Sequence, residues 1–484
     1  MTSSAIRRSA YLSNWLLAIH GCFAIGAQAQ ATDPVPPAAD TPAPSVVEPS
    51  IETSLGSPAY APPPAAAADA LTPAWAAPAP VAEPSPGLVP SVEPKADKSG
   101  FALSSGGEKP TFTLKFKLTL QTDNRKFLND DRSKDTLLIR RVRPILDGTV
   151  LGLVDFRVMP DFAGSQAVLY DASIDVHPWP WLRLRTGKFK APVGLERLQG
   201  DPDLPFMERA YTANLSSTRD VGVQLWGDVA GGVLNYAIGV FNGAGDNANP
   251  DLDTGAPKDV IARVFFQPFK APGLERAGNL GLGIAGSIGK RDGSATSTQL
   301  TALRSTGQQN VFSYLASTTD ATATTFARGT HSRLNPELYY FIGPFGVLSE
   351  VIWSRQHVLR GTGNAKMLLH RAWHATASYV IGGKNGFDGA TPNSNWDPSL
   401  GQLGALEIGV RYHELALDSD SFPTFATTNA SVRRARGFGV SLDWALSRAF
   451  RLMTGFEHSW FEAGRAGGDR KNEDVWLSRA QVNF

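Results

Sequence analysis

The stretch Phe112-Thr113-Leu114-Lys115-Phe116-Lys117-Leu118-Thr119-Leu120 reads with period two. Phe112, Leu114, Phe116, Leu118 and Leu120 fall on one side of an extended chain. Thr113, Lys115, Lys117 and Thr119 fall on the other, so the strand has one dry and one wet face. The alternation returns at 170–176, 280–288, 405–413 and 437–444. Asp147-Gly148, Pro178-Trp179-Pro180, Gly231-Gly232 and Gly343-Pro344 separate such runs and read as hairpin turns. Short turns alternate with long polar stretches at 121–135, 243–257 and 292–330, which is the asymmetry of a transmembrane barrel. The reading is an all-β, antiparallel β-barrel of about sixteen strands. One connection, 382–403, is long where a short turn is expected.

A soluble β-sandwich alternates too, but it needs a continuous core between two sheets. Here glycine and charge occupy the polar face of almost every run, which suits a wet lumen. Trp353, Trp373, Tyr379, Trp444, Trp460 and Trp476 sit near predicted strand ends, as in the aromatic girdles of barrels. The chain finishes in Trp476-Leu-Ser-Arg-Ala-Gln-Val-Asn-Phe484. Phe484, Val482, Ala480 and Trp476 share a face, Leu477 breaks the pattern, and the terminal Phe resembles a barrel-assembly signal.

Composition agrees. The 484 residues carry a formal charge of +1, which argues against a nucleic-acid partner. The single cysteine, Cys22, excludes a disulfide framework. Around it, Arg7-Arg8, an apolar run over 11–25 and Ala27-Gln28-Ala29 have the parts of a cleaved signal peptide, residues 1–29. Residues 30–100 are dominated by Pro and Ala and are expected to form a disordered periplasmic linker. The barrel domain is placed at 101–484.

Several segments resemble the phosphate-selective porins O and P. They are Ile139-Arg140-Arg141-Val142-Arg143, Tyr170-Asp171-Ala172-Ser173-Ile174-Asp175 and the run Leu182 to Gly194 with Arg183, Arg185, Lys188 and Lys190. Phe206-Met207-Glu208-Arg209, Arg219-Asp220-Val221-Gly222-Val223-Gln224 and Asn335-Pro336-Glu337-Leu338-Tyr339-Tyr340 follow in order. The resemblance spans 112–484. It implies an outer-membrane homotrimer of sixteen-stranded, water-filled pores for small hydrophilic solutes in a Gram-negative bacterium. It also implies a third long loop, 191–218, that folds inward to narrow the pore. Outer-membrane lipid and small anions such as phosphate are the implied partners.

Alternation sorts the charges by face. Arg141, Arg143, Arg157, Arg183, Arg185 and Arg263 are expected to reach the lumen with Lys115 and Lys117 as anion contacts, and Arg411, Arg451 and Arg479 point the same way; Lys188 is counted as a further anion contact. A column of guanidinium groups is how an anion pore selects. The constriction loop supplies Arg197 and Arg209, with Arg219 at its end. It also holds Glu196, Asp201, Asp203 and Glu208 and no lysine between 191 and 218. Inward acids at Asp155, Asp171, Asp175, Glu337, Glu350, Glu407, Asp443 and Glu457 leave open a pore that is merely polar. The readings are therefore an anion-preferring porin with possible phosphate or polyphosphate selectivity, a non-selective general porin, or a structural barrel tethered to the cell wall.

Other motifs are declined. Gly281-Leu-Gly-Ile-Ala-Gly286 matches a dinucleotide fingerprint, but its glycines alternate along a strand and no helix follows. His370 and His374 share a strand face without an apparent third metal ligand. No serine arrangement accompanies His458, so no catalytic residue, metal or cofactor is assigned and the chain is read as a non-enzyme.

Overall fold

The computed structural model describes residues 92–97, 100–106, 110–129, 134–253 and 257–484. The expected signal peptide, with Cys22, and the linker up to residue 91 lie outside the described residues.

Among the described residues, sixteen strands form one closed antiparallel barrel. The first eight are β1 (Phe112–Phe127), β2 (Thr136–Val150), β3 (Val154–Asp161), β4 (Val168–Trp179), β5 (Leu182–Phe189), β6 (Asp220–Val229), β7 (Leu234–Phe241) and β8 (Asp259–Phe266). The second eight are β9 (Asn279–Asp292), β10 (Thr325–Ile342), β11 (Phe345–Arg360), β12 (Lys366–Ile381), β13 (Ala405–Ala416), β14 (Val432–Ala445), β15 (Phe450–Arg465) and β16 (Glu473–Asn483). Each pairs with its neighbour in sequence, and β16 pairs with β1 from Asn483↔Thr119 to Val475↔Phe127. Closure leaves no unpaired edge inside a membrane, where an unpaired backbone group has no water to turn to.

The alternation in β1 has the direction the sequence predicts. Phe112 and Phe116 are exposed on the outer wall, while Thr119, Gln121, Asp123 and Arg125 are buried inside. The aromatics expected in the girdles stand on the outer wall as well, Trp373, Tyr379 and Trp476 among the most exposed. Leu477 breaks the pattern for a physical reason. It faces inward with Val475 and packs against Met207 and Met453.

The folded part begins earlier than the sequence suggests. Val92–Asp97, in the stretch read as linker, pairs as a hairpin with Gly100–Ser105. Its second strand continues the sheet along β1 at Thr113–Phe116, below the point where β16 stops. Phe484 closes the junction. Its N–H donates to the Leu118 carbonyl at 3.1 Å, its own carbonyl accepts from Leu118 N–H at 2.9 Å, and its ring meets Phe101 edge-on at 5.7 Å.

The interior is not uniformly wet. Inward groups on the β9–β15 side, including His331, Glu350, His374, Arg411, His413 and Glu457, are buried. Loops fill that side with an apolar cluster containing Tyr211, Leu215, Val311, Phe312 and Ala426. Two glycines of the declined fingerprint meet a second apolar cluster, which contains Phe265 and Tyr339. A Cβ at Gly281 or Gly283 would overlap the Phe265 ring, so these positions make room for aromatic rings rather than for water.

The long connection 382–404 lies at the end of the barrel that holds the short turns. It carries two small hairpins, Gly383–Lys384 with Thr391–Pro392 and Trp396–Asp397 with Gln402–Leu403. Part of it enters the barrel. The Phe387 ring meets Tyr339 at a tilt, with centroids 5.4 Å apart, and its carbonyl accepts from Gln199 Nε2 at 2.9 Å.

Candidate functional site: the constriction and its two basic chambers

The segment 190–219 between β5 and β6 folds into the lumen. Gly194 starts it at φ +93°, a left-handed conformation in which a Cβ would press on Arg197 and Ser216. A short helix, Leu195–Leu198, follows. Its leading N–H groups donate to the buried Glu350 carboxylate, Leu195 at 2.6 Å and Glu196 at 3.3 Å. Thr212 Oγ1 and Asn335 Nδ2 donate to the same carboxylate at 3.0 and 3.1 Å. Tyr211 lies flat on His413 at 4.2 Å, and its hydroxyl donates to Ser459 at 3.0 Å. The loop is thus fastened to the β10–β15 wall, and the open space is left against β1–β5.

On the side of the short turns that space is a vestibule of about 720 Å³. Its walls come from β1–β5, and Leu198 to Asp203 form its roof. Eight basic and six acidic side chains line it. Lys117 meets Asp147 at 2.8 Å, and Arg157 meets the same carboxylate at 2.7 Å. Arg183 bridges Asp155 and Asp175 at 3.1 and 3.3 Å, and Arg185 takes Asp175 at 2.7 Å. Arg219 pairs with Asp171 at 2.5 Å. Lys115 lines the vestibule, and its ammonium group has no hydrogen bond or ion pair to a described residue. Lys190 reaches only the carbonyls of Leu198 and Gln199, at 3.2 and 2.5 Å, and burial pushes its amine well below the ordinary lysine range.

Beyond the loop lies a second chamber of about 90 Å³, lined by Arg140, Arg141, Arg197, Arg209 and Arg304, with Glu208 the one acidic wall residue among the described residues. Arg140 Nε donates to Glu208 at 2.6 Å. Arg197 is held by neutral groups, Ser216 and Asn247 at 3.4 Å and the Ala213 carbonyl. The Arg304 guanidinium has no hydrogen bond or ion pair to a described residue, and its backbone is locked by a reciprocal pair with the Asn214 amide at 2.8 and 3.0 Å.

Asp201 stands between the chambers. Arg141 approaches it at 3.3 Å, and Arg143 and Arg209 pair with it more closely. Burial alone would raise this carboxyl, but Arg141, Arg209 and Arg143 hold it well below the usual carboxylate range.

Most sequence-predicted residues gather here: Lys115, Lys117, Arg143, Arg157, Arg183, Arg185 and Arg219 on the vestibule, and Arg141, Arg197 and Arg209 on the outer chamber. Two do not. Lys188 stands on the opposite face of β5 from Arg183 and Arg185, because an odd spacing along a strand changes face, and it is tied to the Leu169 carbonyl at 2.7 Å and to Asp251. Arg263 lies outside both chambers, paired with Glu337 at 2.7 Å. Arg411, Arg451 and Arg479 point inward as expected but are buried against Glu457, Asp443 and Asp123.

Arg140 and Arg304 escaped the sequence reading. Strict alternation puts Arg140 on the outer wall, but the pairing skips it between Gln121↔Arg141 and Thr122↔Ile139. This bulge turns Arg140 inward beside Arg141. Three arginines within four residues, breaking the period, were the available signal. Arg304 arrives from a distant loop, and nothing local marks it. Glu196, Glu350 and His374 each offer a ligand atom within 4.8 Å of the others. Glu350 is already occupied by four donors and His374 Nδ1 meets Thr212 at 3.0 Å, so these groups serve to fasten the loop.

Among solved structures, DcaP of Acinetobacter baumannii is similar at 10% identity and TM-score 0.50, over 81% of this chain and 99% of that one. OmpT of Vibrio cholerae in its trimer form matches at 12% identity and TM-score 0.47, over 77% and 100%. OprB of Pseudomonas putida matches at 8% and 0.48, over 77% and 94%. These likenesses concern the fold. No curated protein matches the sequence. The model of the family described as phosphate-selective porin O and P matches residues 114–484, nearly the whole barrel, and the chain belongs to that family of outer-membrane porins.

Proposed function

We propose that this porin prefers anions, and that small hydrophilic anions cross it along the β1–β5 wall between the vestibule and the outer chamber. The observation that carries the reading is the outer chamber, where five arginines surround one glutamate. A guanidinium engaged with one carboxylate keeps further N–H donors for a passing oxyanion. Lys115, Lys117, Arg143, Arg157, Arg183 and Arg185 are the proposed contacts on the vestibule side, with Arg140, Arg141, Arg197, Arg209 and Arg304 above. Phosphate is the anion the family resemblance favours. A general, weakly selective pore is the second reading, supported by the acid that pairs with each of the vestibule arginines. The proposal extends to export through a cleaved signal peptide at 1–29 and to a homotrimer in the outer membrane.

Single-channel recording in a planar bilayer under a salt gradient tests it. The expected outcome is a reversal potential on the anion side, a shift toward zero in Arg304→Ala, and reduced current when phosphate is titrated in. Discrete steps with a reversal potential near zero and no effect of phosphate would leave the general pore standing.

A further inference from the structure

The outer wall of β12–β15 changes character in one step. Ile381, Leu406, Trp444 and Leu452 form one cross-strand row near the short turns. From there up to Trp373, Tyr412, Phe438 and Trp460, the outward positions carry no lysine, arginine or carboxylate. Charge then appears abruptly. Glu414 and Arg436 share a row with Trp373 and Trp460, and the next row holds Arg371, Ala416, Arg434 and Glu462.

The spacing matches a membrane. Arg371 and Arg434 each stand ten residues along the strand from the Ile381–Trp444 row. At a rise of about 3.3 Å per residue and a tilt of about 40°, this places them about 25 Å above it, the height of a barrel's apolar band. An arginine on a lipid-facing wall is costly at mid-membrane and tolerated at the interface, where aromatic rings also collect. The charged rows therefore lie at headgroup level.

Their pairing is unequal. Arg436 meets Glu414 and Glu462 at 3.0 Å each, and Arg434 meets Glu462 at 3.3 Å. Arg371 and, on the adjoining β11, Arg355 are exposed, and their guanidinium groups make no hydrogen bond or ion pair with any described residue. Four arginines thus face two carboxylates, with two guanidinium forks unclaimed directly above an aromatic row.

We infer that this patch binds the phosphate of an anionic lipid in the outer leaflet, with Arg355 and Arg371 as the primary contacts and Arg434 as a third. A guanidinium fork takes two phosphate oxygens at once. A second copy of the chain is the less suitable occupant, since the centre of a protein interface is depleted in unpaired charge. The inference rests on the outer-membrane placement of the barrel.

The test compares the full-length protein with the Arg355→Gln/Arg371→Gln variant in detergent, using native mass spectrometry with diphosphorylated lipid A and with its dephosphorylated form as probes. Because neither arginine has an internal partner, the variant should fold, and unchanged single-channel conductance with unchanged heat-modifiable migration verifies this. Wild type is expected to retain the diphosphorylated lipid, the variant to lose about tenfold in affinity, and the dephosphorylated lipid to be retained weakly by both. Equal retention by variant and wild type, equal retention of the two lipids, or a self-association lost in the variant would overturn the inference. A wild-type protein that neither inserts nor conducts would instead overturn the placement on which it rests.

Discussion

Glu350 accepts the N–H of Leu195 at 2.6 Å, and through that contact a barrel strand holds the first helix of the constriction loop. The carboxylate is buried and takes three further donors, from Glu196, Thr212 and Asn335. A loop of thirty residues with little secondary structure has no intrinsic reason to stay inside a wet lumen. Its position is the sum of such anchors, together with the Tyr211–His413 stack and the packing of Met207 on Val475 and Leu477.

Glu350→Ala leaves four buried donors without their acceptor. The expected loss is about 3 kcal/mol of stability, localised in the loop. Current recordings should show frequent, large fluctuations in the variant where the wild type gives steady levels. Steady levels at the wild-type conductance would mean the other anchors suffice.

Asp201→Asn removes the charge that Arg141, Arg143 and Arg209 share. Arg141 and Arg209 then face the path with a neutral amide, while Arg143 keeps its pair with Asp161 at 2.7 Å. The reversal potential should move further to the anion side. Because these arginines hold the Asp201 carboxyl well below its usual range, the wild type should not acquire the same behaviour by acidification to pH 4.

Asp203 behaves oppositely. Burial raises its carboxyl to about 6, with Arg451 opposing and Asp388 adding to the rise. The folded state therefore holds a proton between the ordinary carboxylate range and pH 6, and the stability this residue contributes falls as pH rises through that window. Lowering pH from 7.5 to 5 removes one negative charge from the vestibule roof. Anion preference should increase over this interval, and Asp203→Asn should abolish the change.

The insert at 382–404 props the constriction from below. Gln199 Nε2 donates to the Phe387 carbonyl at 2.9 Å, while Arg451 donates to the Pro202 and Ala390 carbonyls at 3.0 and 3.1 Å. Gly389 approaches Asp203 so closely that a Cβ would stand 3.0 Å from its carbonyl oxygen. Replacing 384–402 by a tight turn should raise single-channel conductance while leaving the barrel heat-modifiable. Unchanged conductance would show that the barrel wall and the loop alone set the pore.

The barrel was legible because a strand's two faces meet different solvents. Period two along Phe112 to Leu120 records lipid on one side and the lumen on the other, and no distant contact is needed to read it. The same local rule placed Lys115, Lys117, Arg143, Arg157, Arg183 and Arg185 inside. It gave no account of Leu477, whose partner Met207 lies far away in sequence, nor of Arg140, whose direction is set by a bulge in the pairing with β1. The sequence by itself determined an amphipathic closed sheet. Tertiary structure decided which half of the lumen stays open, since that depends on where the loop 190–219 is fastened and what the 382–404 insert supports. It decided as well which arginines remain available, because a guanidinium's partners come from other strands and loops, as Asp201 does for Arg141, Arg143 and Arg209.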